Sequence, residues 1–366
     1  MTLVLDRISR VVGGETHLHE LSLTLEPGSL NVLFGPTLAG KTSLMRVMAG
    51  LDRPSAGRVL WDGKDVTGVS VRRRQVAMVY QQFVNYPSFT VYDNIASPLK
   101  LAGLPKAEID RKVREAAGIM HIDGLLKRLP AELSGGQQQR TAIARALVKE
   151  AGLLLLDEPL VNLDYKLREE LRSEMREIFK RHRSIVVYAT TEPLEALMLG
   201  GTITVLHEGR VLQSGPTVQV YHNPSSLRVG QVFSDPPLNQ VDGVVDAAGV
   251  LLADGIRVPA AGHLAGLPHG RYRFGIRANH LSVFRAHDDD IPVPGTVELA
   301  EISGSETFIH VHGPGIAWVV QQDGVHTLRI GEPVTAYINA RRLFAFGADG
   351  GLVAAPPRPR LGMAAE

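Results

Sequence analysis

Phe34-Gly35-Pro36-Thr37-Leu38-Ala39-Gly40-Lys41-Thr42-Ser43 is the stretch on which the reading of this chain turns. Gly35 to Thr42 fit GxxxxGK[ST], between an apolar run ending at Phe34 and a helical pattern opening near Ser43, the context the motif requires. Glycines let the backbone fold tightly around phosphate oxygens, successive N–H groups form an anion nest, and the helix N-terminus adds partial positive charge. Lys41 is placed to reach β- and γ-phosphates and Thr42 to offer a hydroxyl to magnesium. A Gly-rich turn could match the pattern by chance, but not with this strand before it and this helix after it. Gly35, Pro36, Thr37, Leu38, Ala39, Gly40, Lys41, Thr42 and Ser43 are therefore the expected phosphate-binding residues.

Outward from the loop, short apolar runs at 31–34, 76–80, 153–156, 185–189 and 202–206 read as strands buried on both faces. Between the third and fourth, Leu167, Leu171, Met175, Ile178 and Phe179 make one apolar stripe of a helix over about 165–182. Strands separated by helical segments imply right-handed crossovers and a parallel α/β sheet over 1–235. Within it the segment of about 101–129 reads as helical, so a helical subdomain is expected over about 88–150. From Asp235-Pro236-Pro237 the texture changes to short β-like runs, at 307–311, 316–320, 326–330 and 334–338, separated by glycine and proline turns. An all-β accessory barrel of the oligonucleotide- or oligosaccharide-binding type is expected over 236–355, and a disordered tail over 356–366.

Composition sets the outer bounds. A chain of 366 residues exceeds one ordinary domain, and 44% hydrophobic with 21% charged residues is a globular balance. Thirty-nine Lys and Arg against 38 Asp and Glu leave a net charge of +1, which gives no global case for nucleic acid. The absence of cysteine excludes disulfides and thiolate-held zinc. The N-terminal residues read as a strand and not as a signal segment, and no run of 18 apolar residues occurs, so a membrane role is expected to come through a partner.

Leu153-Leu154-Leu155-Leu156-Asp157-Glu158 is a buried strand ending in two acids. Such a pair can merely cap a helix, but downstream of a phosphate loop Asp157 is placed to hold magnesium, and Glu158 to polarise an attacking water as general base. Between the two nucleotide motifs lies Leu133-Ser134-Gly135-Gly136-Gln137-Gln138-Gln139-Arg140. A serine and two glycines opening a helix present N–H groups and a hydroxyl to an anion. This sequence resembles the signature of ABC ATPases, and the other family elements fall in order: Gln81 matches the Q-loop glutamine and Asn162-Leu163-Asp164 the D-loop. Gly275-Ile276-Arg277-Ala278-Asn279-His280-Leu281 and the segment from Val297 to Thr307 look like the accessory barrel of maltose-type and glycerol-phosphate-type importer ATPases. The fold expected is thus α/β, a P-loop nucleotide-binding domain with an inserted helical subdomain, plus a C-terminal OB-like accessory barrel.

The resemblance implies an ATPase that binds ATP and Mg2+ and energises uptake of a carbohydrate, polyol or glycerol-like solute. It implies a peripheral place on the cytoplasmic face of the inner membrane, membrane permease subunits as partners, an extracytoplasmic solute-binding protein indirectly, and no nucleic acid. It also assigns Gln81 to sensing magnesium, water and the permease interface, beside Tyr86-Pro87. In this family each composite ATP site takes the phosphate loop, acids and switch from one subunit, and the signature, here Ser134, Gly135, Gly136 and Gln137, with Asp164, from the other.

Two departures fall on one such site. Thr191 stands where the family places its switch histidine, and a threonine is too short to bridge γ-phosphate and general base as an imidazole does. Near position 12, where members commonly stack adenine on an aromatic side chain, this chain has Val11-Val12-Gly13; His17 and His19 are the available substitutes, but read first as solvated loop histidines. A heterodimer with a second, complete ATPase and a homodimer that tolerates threonine both remain open. So does an alternative in which this chain is a nucleotide-binding regulatory subunit donating its signature. Three further features read as surface: Arg72-Arg73-Arg74 as a solvated loop, His310 and His312 as barrel surface without a nearby acid, and Asp288-Asp289-Asp290 as a hydrated turn.

Overall fold

The computed structural model describes residues 1–161, 163–181 and 184–358; Asn162 of the expected D-loop, the 182 end of the expected helix and the 359–366 part of the expected tail lie outside the described residues. The chain divides into two compact units, Met1–Thr217 and one beginning at Val218.

In the N-terminal unit all five apolar runs enter one six-stranded sheet. Its order is Arg210–Pro216, Thr202–His207, Leu30–Phe34, Ile185–Thr190, Leu153–Asp157, Val76–Val79. Pairing is parallel except at the Arg210–Pro216 edge. Because crossovers cover both faces, Leu153–Asp157 and Ile185–Thr190 are buried at every position, which is why these strands read as unbroken apolar runs. The register sets Phe34 beside Thr190 and Ala189 beside Asp157. Three adjacent strands therefore end level and deliver Gly35, Thr191 and Glu158 to one edge, the carboxyl edge where open α/β sheets bind ligands.

The helix Lys41–Ala49 leaves this edge, with Leu44, Met45, Val47 and Met48 in the core. On one side are Leu33, Leu155 and Val187 of the parallel sheet. On the other are Leu3, Leu5, Ile8 and Leu18 of an antiparallel sheet ordered Glu15–Leu25, Leu3–Val12, Ala56–Trp61, Lys64–Asp65. Helices Val91–Leu101, Lys106–Ile119 and Gly135–Leu147 occupy the inserted region. The expected helical stretch over 101–129 is thus broken: Gly103 has φ 75°, and Pro105 precedes the next helix as its N-cap, so one helix stops and another starts there. In the helix Tyr165–Arg181, Leu171, Met175 and Phe179 are buried and Leu167 and Ile178 half-buried, the expected stripe. The Arg72-Arg73-Arg74 loop differs from its reading. Arg74 is half-buried and donates to the carbonyls of Val69, Met48 and Val66, so one of the three arginines ties a loop to the end of a helix.

The C-terminal unit is antiparallel throughout its two sheets. One runs Arg257–Val258, Gly249–Leu252, Asn239–Asp246, Gly270–Ile276, Phe344–Phe346, Leu352–Ala354. The other runs Ile316–Asp323, Glu306–Gly313, Ile291–Ser303, Pro333–Ile338. Phe274 and Trp318 are fully buried among Val, Ile and Leu from both sheets. Asn239 joins the sheets, donating to Val319 O (2.8 Å) and accepting from Val319 N (2.7 Å).

The run 326–330 is not a strand. His326 N donates to Thr307 Oγ1 and Arg329 N to Glu332 Oε2, so side chains take the donors a ladder would need. Asp290 is buried and accepts from the N–H groups of Ala286 and His287, closing its turn internally. His310 has an acid nearby after all, Glu301 at 3.7 Å. Among the described residues no group of three or more His, Asp or Glu is placed to hold a metal ion.

Candidate nucleotide site

The phosphate loop is shaped by what lies behind it. A Cβ on Gly35 would stand 2.1 Å from the carbonyl oxygen of Leu206, and one on Gly40, which has φ 99°, would stand 3.0 Å from Leu18 Cδ2 and 3.1 Å from the carbonyl oxygen of His17. Leu38, at φ 67°, is 94% exposed, so the one large apolar side chain of the loop points away from the core. Lys41 is buried and curls back over the loop, donating to Gly35 O (2.8 Å) and Pro36 O (3.1 Å). Burial lowers its pKa, and the carboxylates of Glu158 and Asp157 oppose that shift.

Thr42 donates its hydroxyl to Asp157 Oδ2 at 2.7 Å. Asp157 is buried, which raises its pKa against the Thr42 hydrogen bond. The next residue, Glu158, has φ 46°, the left-handed region that a side chain with a Cβ seldom enters. Its N–H donates to Ala189 O (3.0 Å), so the turn that swings its carboxylate out of the sheet is anchored to the neighbouring strand. Both carboxylate oxygens are engaged: Oε1 lies 3.4 Å from Lys41 Nζ, and Oε2 accepts from Gln81 Nε2 at 3.0 Å. Lys41, Glu158 and Gln81 thus hold one another.

A cavity of about 620 Å³ opens over these groups, lined by Thr37, Leu38, Ala39, Gly40, Lys41, Thr42, Ser43, Gln81 and Glu158. Glu15, Thr16, Glu208 and Gly209 also line it and were missed from sequence, whereas His17 and His19 were noticed. The signal was present in the strand Glu15–Leu25: Leu18 is buried while His17 is exposed and His19 half-buried, so the two histidines share the outward face. His17 Nδ1 lies 3.5 Å from Ser43 Oγ, and His19 N donates to Gly209 O (2.9 Å).

Other expected residues stand apart from this cavity. Ser134 caps the helix Gly135–Leu147: its Oγ accepts from Gln137 N (3.4 Å) and its N–H donates to Gln137 Oε1 (3.0 Å), a reciprocal capping box. Gly135, Gly136 and Gln137 form the first turn behind it, and none of the four lines the cavity. Asp164 caps the helix Tyr165–Arg181 through Leu167 N (3.0 Å). Thr191 lies on the other side of Glu158, in a tight junction with Val161, Arg168 and Glu192. Its neighbours are fixed from below, since Glu195 is buried and accepts from Tyr188 OH (2.6 Å) and from Thr190 Oγ1. Burial raises the pKa of Glu195, against both hydrogen bonds.

The ABC transporter family matches residues 18–161 and the TOBE domain family residues 274–346. The chain is 38% identical to the sn-glycerol-3-phosphate import ATP-binding protein UgpC of Salmonella typhi, over 84% of this chain and 87% of that protein. It is 37% identical to UgpC of Chromohalobacter salexigens over 96% of both chains. It is 36% identical to the trehalose/maltose import ATP-binding protein MalK of Thermococcus litoralis, over 92% of this chain and 95% of that protein. Among solved structures, an ATP-binding cassette seen as a dimer in a post-hydrolysis state with ADP and Pi covers 59% of this chain and 98% of its own, with 26% identity and a TM-score of 0.54.

Proposed function

Since the chain belongs to the family of ABC import ATP-binding proteins, we propose that its cavity binds MgATP and that closure on a partner ATPase subunit drives a membrane permease. The chain is an ATPase subunit of an importer. The single observation that carries the site assignment is the convergence of Lys41, of Thr42 with its partner Asp157, and of the Gln81–Glu158 pair at one cavity, from the carboxyl ends of the strands Leu30–Phe34, Leu153–Asp157 and Val76–Val79.

In this reading the loop N–H groups from Gly35 to Ser43 cradle the phosphates, and Lys41 exchanges Glu158 for β- and γ-phosphate oxygens. Glu158 then takes a proton from a water whose oxygen bonds to the γ-phosphorus while the bond to the β-bridging oxygen breaks, giving ADP and phosphate. Thr42, Asp157 and Gln81 would hold Mg2+: they are oxygen donors, and a carboxylate as buried as Asp157 calls for a cation when ionised. Bound there, the ion neutralises charge on the phosphates.

Ser134, Gly135, Gly136, Gln137 and Asp164 serve the partner's site, which accounts for their distance from this chain's own cavity. Thr191 reaches less far than an imidazole, so turnover at this chain's own phosphate loop is weak, and His17, which lines the cavity 3.5 Å from Ser43 Oγ, stands at the end assigned here to the adenine base. The relatives import sn-glycerol-3-phosphate or trehalose and maltose by name. A carbohydrate, polyol or glycerol-phosphate-like solute is the corresponding cargo here, delivered to the permease by an extracytoplasmic binding protein. Among the described residues no helix is long and apolar enough to cross a membrane; the subunit sits peripherally on the cytoplasmic face.

The test is ATP hydrolysis by the purified chain, alone and with a candidate partner ATPase, with Glu158→Gln in each as control. Activity of the chain alone that Glu158→Gln abolishes makes it a competent homodimer and sinks the weak-site reading. Activity that needs the partner, and is lost chiefly when the partner's own base is changed, makes this chain the signature donor.

A further inference from the structure

The junction behind Thr191 is organised by one side chain. Arg168 sits one turn into the helix that Asp164 caps, its own N–H donating to Asp164 O at 2.9 Å. Its guanidinium reaches three ways: Nη1 to Glu192 Oε1 at 2.7 Å, Nη2 to Val161 O at 3.4 Å and Nη2 to Leu163 O at 3.3 Å. One planar fork therefore bridges the backbone before and within the D-loop, at Val161 and Leu163, and the residue next to Thr191. Glu158, Val161, Arg168, Thr191 and Glu192 line one small space of about 10 Å³, so the D-loop side and the Thr191 side meet at Arg168. Arg168 Nε is buried and has no hydrogen-bond partner among the described residues, a donor that a shifted D-loop carbonyl could engage.

We propose that Arg168 is a positioning residue that transmits movement of the partner-facing Asp164 segment through Glu192 to the Thr191 segment and the Glu158 turn. It acts through these groups without touching nucleotide. A threonine at the switch position cannot itself reach across; a bidentate-capable arginine on a rigid helix turn, paired to the adjacent glutamate, supplies a mechanical link of the needed length. The inference rests on the reading of this chain as an ATPase subunit whose Asp164 faces a partner.

The experiment compares wild type, Arg168→Gln, Arg168→Lys, Glu192→Gln and the double variant in the transporter complex purified with this chain. It records kcat, KM and the Hill coefficient for ATP, with equilibrium binding of a fluorescent ATP analogue and thermal melting alongside. The expected result is a fall in kcat of about tenfold for Arg168→Gln, with KM and analogue binding within about twofold and a Hill coefficient reduced towards one. Glu192→Gln should do the same, the double variant no worse than either single one, and Arg168→Lys should restore kcat only in part. Unchanged kcat and cooperativity in a folded Arg168→Gln variant overturns the proposal, as do independent, additive losses from the two single changes. If instead wild type hydrolyses ATP no faster than its Glu158→Gln control, the ATPase reading of this site has failed and not the link.

Discussion

The two units bury charge in opposite ways. In the phosphate-loop unit, buried Lys41 lies among carboxylates, with Glu158 at 3.4 Å and Asp157 bound to Thr42. In the C-terminal unit, buried Arg277 has no carboxylate among its partners: it donates to Phe233 O (3.1 Å), Ser234 Oγ (2.9 Å) and Tyr221 O, and its guanidinium stacks 3.5 Å from the Tyr221 ring. Close by, burial, Arg342, Arg277 and His222 push His280 down to about 4. A cation buried against movable carboxylates can trade them for a phosphate. One buried against carbonyls and rings is committed to holding a fold. The first arrangement suits the proposed reaction site and the second a structural pin.

The contrast can be broken from the reaction side first. Glu158→Gln keeps the Lys41 contact geometry while removing the base, and is expected to remove whatever ATP turnover this chain's own site supports, with ATP-analogue binding and a melting temperature close to wild type. A large drop in stability instead would mean that the buried carboxylates are structural too. From the other side, Arg277→Met strands the carbonyls of Phe233 and Tyr221. It is expected to cost about 3 kcal/mol in denaturant unfolding of the C-terminal unit, while a fluorescent ATP analogue binds as in wild type.

His280 sharpens the comparison through pH. Its imidazole is held at about 4 in the fold and titrates near 6.5 when unfolded, so the unfolded chain binds more protons between those values. The stability in question is fully present above pH 6.5 and is lost as pH falls towards 4, by up to about 3 kcal/mol. Urea melts of wild type and His280→Gln across that window should differ in slope; equal slopes would place the proton uptake elsewhere. The smallest effect expected is at the cavity rim. His17→Ala should weaken ATP-analogue binding about threefold, roughly 0.7 kcal/mol, and His17→Tyr should strengthen it. No change in either variant would remove His17 from the base end of the cavity.

Much of this was legible in the chain because the phosphate loop, the paired acids and the capped Ser134 helix are local patterns whose physics lies within a few residues. Gly35 to Thr42 between strand and helix, and Asp157-Glu158 after four leucines, carry their context with them. What sequence did not show depended on distant backbone. Arg74 reads as one of three equivalent arginines until the fold leaves the carbonyls of Val66, Val69 and Met48 around it. The run 326–330 has the composition of a strand, but Thr307 and Glu332 claim its donors. Glu208 and Gly209 reach the cavity only because the edge strand Arg210–Pro216 turns back antiparallel, and Arg168 becomes a link only once Glu192 lies 2.7 Å away.

Gly35 pressed against Leu206, and Gly209 against the carbonyl of His17, 2.5 Å from where a Cβ would stand, have a consequence for protein engineering. The loop is a casting whose mould is the last parallel strand and the hairpin after it. Grafting Gly35 to Thr42 into another scaffold would transplant the lettering without the mould. A chimaera of this chain should take its crossover points after Pro216, so that loop, strand and hairpin travel together.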